Sequence, residues 1–186
     1  MRRVVESFKQ QKLRYLAIPL VAFVIQFVVG RLLTPIFGLD LRRVGMLASY
    51  LLLFAFLVAN RRHPGILVWS VGLLMNVVAI LANGGFMPVT TEAATRAGLE
   101  GRIAGLQSGD VVPATISILL DRSQTHLWFL SDIFSVRSPR KMVFSIGDIL
   151  VALGVALTLV QLALNAIRPR VAGAKRGLRM ERNPRV

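Results

Sequence analysis

Cysteine is absent from the 186 residues, which excludes disulfides, thiolate metal ligands and a cysteine nucleophile. Histidine is nearly absent. His63 and His126 stand alone, with no second histidine or cysteine at ligand spacing, so a structural zinc site has no ligand set, and no metal or other cofactor is expected. Charge is also sparse. Only 17% of residues are charged, 54% are hydrophobic and the mean hydropathy is +0.62. A soluble domain carries roughly a quarter charged residues, so this apolar excess calls for lipid.

Acidic residues are the scarcest charge: nine, against 23 lysines and arginines, for a net charge of +14. So basic a chain invites a nucleic-acid reading, but the placement of the cations opposes it. They crowd the ends: Arg2, Arg3, Lys9, Lys12 and Arg14 in residues 1–14, then Arg168, Arg170, Lys175, Arg176, Arg179, Arg182 and Arg185 in residues 168–186. Such flanks are expected of cytoplasmic tails beside anionic lipid headgroups, so the bilayer is the expected partner and nucleic acid is not.

Four apolar runs lie between those tails. Tyr15 to Leu33 is interrupted by Gln26 and by Arg31 near its end, and it stops at Thr34-Pro35. No A-x-A site follows its basic start, and the run exceeds a signal h-region, so it reads as an uncleaved first span. Val44 to Ala59 is closed by Asn60-Arg61-Arg62-His63-Pro64, and Ile66 to Ala82 by the turn signal Asn83-Gly84-Gly85. These two runs are short, so their ends are expected to extend into flanks such as Arg43 and Arg61, which can snorkel. The last run goes from Met142 to about Ile167.

The pattern predicts an all-α polytopic membrane protein with four transmembrane helices in a 3+1 arrangement. Its segments are a basic N-terminus (1–14), three spans (15–82), an extracytoplasmic loop with short helices (83–142), a fourth span (143–167) and a basic tail (168–186). With the N-terminus inside, fourteen lysines and arginines fall on the inner side and nine on the outer, which favours both termini in the cytoplasm. In the loop, Thr90 or Thr91 is placed to cap a short helix through Glu92 and Arg96 that Gly98 stops. Pro113–Leu120 and Leu127–Phe134 read as amphipathic pieces on the membrane surface, with Trp128 as an interfacial anchor. Gly147 and Gly154, seven apart, suggest a close helix contact.

Asp148 is the most informative residue, because it lies a few residues inside the last apolar run. An aspartate at a span's centre costs roughly 2.5–3.5 kcal/mol, less near the interface, so a partner or a function must offset it. Asn76 and Asn83 share one helical face, and Asn83 reaches the outer end where Asp148 lies. The intervening loop can bring Asp132 to the same rim. Two neighbouring carboxylates can share a proton and activate water, which is the chemistry of an aspartic peptidase. Alternatively, Asp148 accepts helix or asparagine hydrogen bonds and Asp132 caps a short helix, or the carboxylates line an ion or proton path. Asn83-Gly84-Gly85 likewise has two readings. Its backbone can approach a substrate, or it is a tight helix exit.

Two resemblances enter here. Asn83-Gly84-Gly85-Phe86-Met87-Pro88, Leu127 to Phe134 and Phe144-Ser145-Ile146-Gly147-Asp148 resemble an uncharacterised bacterial membrane protein family, a domain of unknown function. Residues 117–156 more distantly resemble lipoprotein signal peptidase (signal peptidase II), a four-helix aspartic peptidase. That resemblance implies catalytic roles for Asp132 and Asp148 and a lipopeptide or membrane-protein partner. This chain departs from it by placing Asn-Gly-Gly after the third run rather than the first, and by Ser117-Ile118 where Gly-Asn would stand. The competing expectation is a non-enzymatic partner-binding or assembly protein in which Asp148 is structural.

Overall fold

The computed structural model describes residues 13–32 and 41–181, with side chains described for 13–29 and 43–165. The basic N-terminal cations before residue 13, the connection through Asp40 and the side chains of the basic tail lie outside the described residues.

Four long helices carry the fold: α1 (Ala17–Leu32), α2 (Leu41–Ala59), α3 (Pro64–Ala82) and α6 (Ile146–Glu181). Pro64 occupies the first turn of α3, where its missing N–H costs nothing. Gly84 (φ 74°) and Gly85 (φ 91°) end that helix in the left-handed region, and the Gly85 N–H returns to the Ile80 carbonyl at 2.9 Å. Among the described residues, two helices are long and apolar enough to cross a membrane, Pro64–Ala82 and Ile146–Asn165; the apolar parts of the others, Ala17–Val29 and Arg43–Ala59, are shorter.

The all-α expectation needs correction. Residues 83–145 form a mixed layer: β1 (Met87–Val89), α4 (Thr91–Arg96), α5 (Glu100–Ile103), β2 (Ser117–Leu119), a 3-10 turn (Trp128–Leu130), β3 (Phe134–Val136) and β4 (Met142–Phe144). Strand β1 pairs in parallel with β2, Pro88 opposite Ile118, and a parallel bridge joins Val89 to Asp132. Strands β3 and β4 form an antiparallel hairpin in which the Phe134 and Phe144 rings stack with centroids 5.6 Å apart. So Ser117–Leu119, within the expected surface piece, is a strand. Met142–Phe144, expected to open the last span, belongs to the hairpin, and α6 begins only at Ile146. At its other end α6 runs past Ile167 to Glu181. Thr90 does cap α4, accepting from the Ala93 N–H at 3.2 Å, and Gly98 follows with φ 76°.

Helices α3 and α6 pack antiparallel with backbones nearly touching. A Cβ on Gly72 would lie 2.5 Å from the Gly147 carbonyl oxygen, and one on Gly154 would lie 2.6 Å from the Gly65 carbonyl oxygen. Glycines seven apart on both helices permit this approach, because any side chain would hold the axes apart. Two apolar clusters fill the bundle. One joins Ala22, Leu53, Phe56, Ile66 and Trp69, and the other joins Val29, Met46, Ile80, Met87 and Leu130, so it reaches into the mixed layer. A third, with Val89, Ala93, Val112 and Leu119, is the layer's own core and borders an apolar pocket of about 40 Å³.

Candidate site at the helix ends

The site grows from the start of α6. Ser145 and Asp148 form a reciprocal capping box: the Asp148 N–H donates to Ser145 Oγ at 3.1 Å, and the Ser145 N–H donates to Asp148 Oδ2 at 2.9 Å. This explains how an acid is tolerated in an apolar run. Since α6 starts at Ile146, Asp148 lies in its first turn, where unpaired backbone donors and the helix dipole favour a carboxylate.

Asn76 of α3 completes the cluster. Its Nδ2 donates to Asp148 Oδ1 at 2.7 Å. The fully buried Ser145 hydroxyl lies 2.8 Å from Asn76 Oδ1 and 2.9 Å from Asp148 Oδ2, and its one proton serves one of them at a time. Gly147 makes room, since a Cβ there would run into Asn76 Oδ1. Three donor groups therefore converge on the Asp148 carboxylate.

Asp132 arrives from the layer. Its N–H donates to the Pro88 carbonyl at 3.0 Å, which ties its segment beside β1, and the residue is 8% exposed. Burial, reinforced by the negative charge of Asp148, raises its carboxyl from 3.8 to about 8. At neutral pH Asp132 therefore holds its proton.

Asn83, seven residues beyond Asn76 at the end of α3, is committed elsewhere. Its Nδ2 donates to the Ala79 and His126 carbonyls at 2.8 and 2.9 Å, and its Oδ1 accepts from the His126 N–H at 2.9 Å. Asn60, at the end of α2, clasps the backbone of Arg14 in the same way, at 2.8 and 3.1 Å. Gly84 is open, because a Cβ on it would meet nothing within 4 Å, whereas Gly85 is covered by the Arg43 side chain, which stacks over Phe86 at 5.0 Å.

The charge of Asp148 thus reaches Asp132, while Asn83 staples the layer to the end of α3. Two members of the cluster, Ser145 and Asn76, carry no site assignment from the sequence. Ser145 was readable as the first residue of a Ser-x-x-Asp capping box. Among the described residues, no group of three or more histidines, aspartates or glutamates is placed to hold a metal ion.

The model of a family of unknown function, DUF5317, matches residues 10–160. The chain belongs to that family. An uncharacterized protein of Thermotoga maritima is similar to it, with 31% identity over 117 residues, which is 58% of this chain and 57% of that relative. The match thus spans little more than half the length of the curated relative. No solved structure matches the chain. The DUF5317 description and that of the Thermotoga protein name no activity.

Proposed function

We propose that this DUF5317 chain is a four-span membrane protein, both termini cytoplasmic, whose outer rim carries an aspartyl site of hydrolase type. The membrane reading is supported by the outward faces of its helices. Leu67, Val71, Leu74, Val78 and Leu81 of α3 and Val44, Leu47, Leu51, Phe54 and Val58 of α2 are all exposed at helical spacing, Leu51 to 71%. A helix apolar on both its packed and its open side belongs in lipid. On this reading α1 and α2 also cross, their short apolar lengths extended by snorkelling arginines or met by local thinning of the bilayer.

The observation that carries the hydrolase reading is a buried Asp132 carboxyl that keeps its proton up to about pH 8 beside Asp148. The pair divides acid from base. Asp148, held by Asn76 and Ser145, takes a proton from a water. The hydroxide forms a bond to a carbonyl carbon of the substrate while Asp132 gives its proton to the carbonyl oxygen. When the tetrahedral intermediate collapses, the C–N bond breaks, Asp148 passes its proton to the leaving nitrogen and Asp132 recovers one from the hydroxyl. The resemblance of Phe144–Asp148 to the closing motif of lipoprotein signal peptidase supports a peptide or lipopeptide substrate at the membrane surface. Asn83 holds the rim in place for it, and the open backbone of Gly84 is what this turn presents.

The test is turnover of a membrane-anchored peptide in nanodiscs. Asp132→Asn and Asp148→Asn should each abolish cleavage with the fold retained, and full activity in either would overturn the reading. Because the chain has no cysteine, single cysteines test the topology: Gln107→Cys should react with an impermeant maleimide from outside and Arg61→Cys only after lysis.

The second reading is a non-enzymatic membrane protein that binds a partner or supports assembly. It is favoured by the donors on Asp148, all from this chain's own Asn76 and Ser145, which weld α6 to α3. On this reading Asp148→Asn lowers stability and partner recovery. Unchanged melting and unchanged co-purification would count against it.

A further inference from the structure

The mixed layer holds a cavity of its own, lined by neither Asp132 nor Asp148. Val89 of β1, Val143 of β4 and Ile103 of α5 form its apolar wall together with Leu99 and Val112. Its volume is about 40 Å³. One water needs roughly 10–15 Å³, so a group of about three non-hydrogen atoms fits. Water gains little between walls this apolar, whereas an alkyl group leaves solvent for them favourably.

Three polar side chains complete the lining, and two of them are uncommitted. The Thr115 hydroxyl is engaged, donating to the Val112 carbonyl at 2.8 Å and accepting from the Ser117 N–H at 3.1 Å. The Ser117 hydroxyl makes no hydrogen bond to any described residue, and Ser117 shares a face of β2 with Leu119, which is buried in the layer's core. The Arg102 guanidinium has neither a hydrogen bond nor an ion pair among the described residues, since the neighbouring acid, Glu100, faces Arg137 at 3.5 Å. Arg102 is exposed, so the cavity opens beside it. Arg137 and Lys141 both pass over Gly98, next to the lining Leu99, and add positive potential on this side of the layer.

We propose that this cavity binds a short aliphatic carboxylate, with an alkyl group of about three carbons between the apolar walls and the carboxylate on Arg102 and Ser117. A void that holds only a few atoms puts all of its lining groups within the length of one such ligand. The guanidinium fork meets a planar carboxylate with two parallel N–H donors, and the serine hydroxyl supplies a third. Arg102 is the only charged residue of the lining, so one positive charge meets one negative charge, which suits a monoanion better than a phosphate dianion. Apolar walls with a few polar groups at one end are the usual build of a small-molecule site. The proposal stands apart from the hydrolase reading and survives its failure.

The test is a titration of the full chain in nanodiscs with butyrate, followed by saturation-transfer NMR with empty nanodiscs as the blank. Butyrate should bind saturably, and acetate, which lacks the alkyl group, and butyramide, which lacks the charge, should each bind roughly tenfold more weakly or not at all. Arg102→Gln, an exposed substitution, should weaken butyrate roughly tenfold or more. Ser117→Ala should weaken it about threefold to tenfold. Ser117→Val, which keeps the strand and puts methyl groups into the cavity, should abolish binding, and the other two variants decide the matter if it does not fold. No saturable binding in the parent overturns the proposal, as does full affinity in Arg102→Gln. Acetate or inorganic phosphate binding as tightly as butyrate also overturns it, because the cations would then gather anions without the cavity.

Discussion

The side-chain amide of Asn83 and the backbone of His126 exchange two hydrogen bonds, each 2.9 Å long, as two strands would. One side chain thereby replaces a strand pairing and fixes the layer over the end of α3. Asn83→Ala would leave the His126 N–H and carbonyl without these partners, and the Ala79 carbonyl without its side-chain donor. The expected cost is about 2–4 kcal/mol. Limited proteolysis should show earlier cutting within residues 83–145, whereas the helices resist as before.

Gly147→Ala should be among the most damaging small substitutions, because the added methyl meets Asn76 Oδ1 at a contact that includes the Gly72 backbone. Overpacking of this kind costs about 1–3 kcal/mol, and here it also pries Asn76 from Asp148. Gly101→Ala is the control. A Cβ there meets nothing within 4 Å, so thermal unfolding in detergent should be unchanged or slightly improved.

Two buried groups give stability opposite slopes with pH. The folded-state value of Asp132, about 8, lies above its reference of 3.8, so the folded state binds more protons between those values. Stability therefore falls as pH rises through that window. Asp132→Asn should remove the decline. Burial lowers the His63 imidazole below its usual 6.5, so the unfolded chain binds more protons there and stability falls as pH drops below that value. His63→Gln should flatten the acid side in denaturant titrations at fixed pH.

Ser145→Ala removes the hydroxyl from the capping box and from Asn76 together. A lost cap costs about 0.5–2 kcal/mol, and the buried Asn76 oxygen left without its donor adds to this. Ser145→Gly should cost about as much here, unlike at an isolated cap, because the hydroxyl serves two partners. Chemical denaturation of both variants checks this.

The helices were legible because 3.6-residue periodicity and turn punctuation act locally. Asn83-Gly84-Gly85 marks the end of α3, and Pro64 its start. The strands were not. Each has only three residues, and β1 and β2 are held by pairing across a long stretch of chain, as Met87 is with Ser117, which no local pattern records. The misplaced start of the last helix has the same origin. Met142-Val143-Phe144 is apolar enough to extend a span, but cross-strand pairing with Phe134–Val136 claims it. That error put Asp148 a few residues inside a span when it is a first-turn acid. Topology alone lets the loop carry Asp132 toward the helix ends where Asn83 and Asp148 lie. The bond from Asn76 to Asp148 depends on how α3 and α6 rotate against one another, which packing alone decides.

The glycine contact between α3 and α6 also sets an order of assembly. Gly65 and Gly72 leave the ribosome long before Gly147 and Gly154, and the whole mixed layer lies between them. A nascent chain can thus place three helices and the layer while α3 still presents a bare backbone seam. Only when the last helix docks are Asn76, Ser145 and Asp148 joined. The cluster is then completed by α6, and a product truncated before residue 146 would lack both the seam's partner and the carboxylate that the seam delivers.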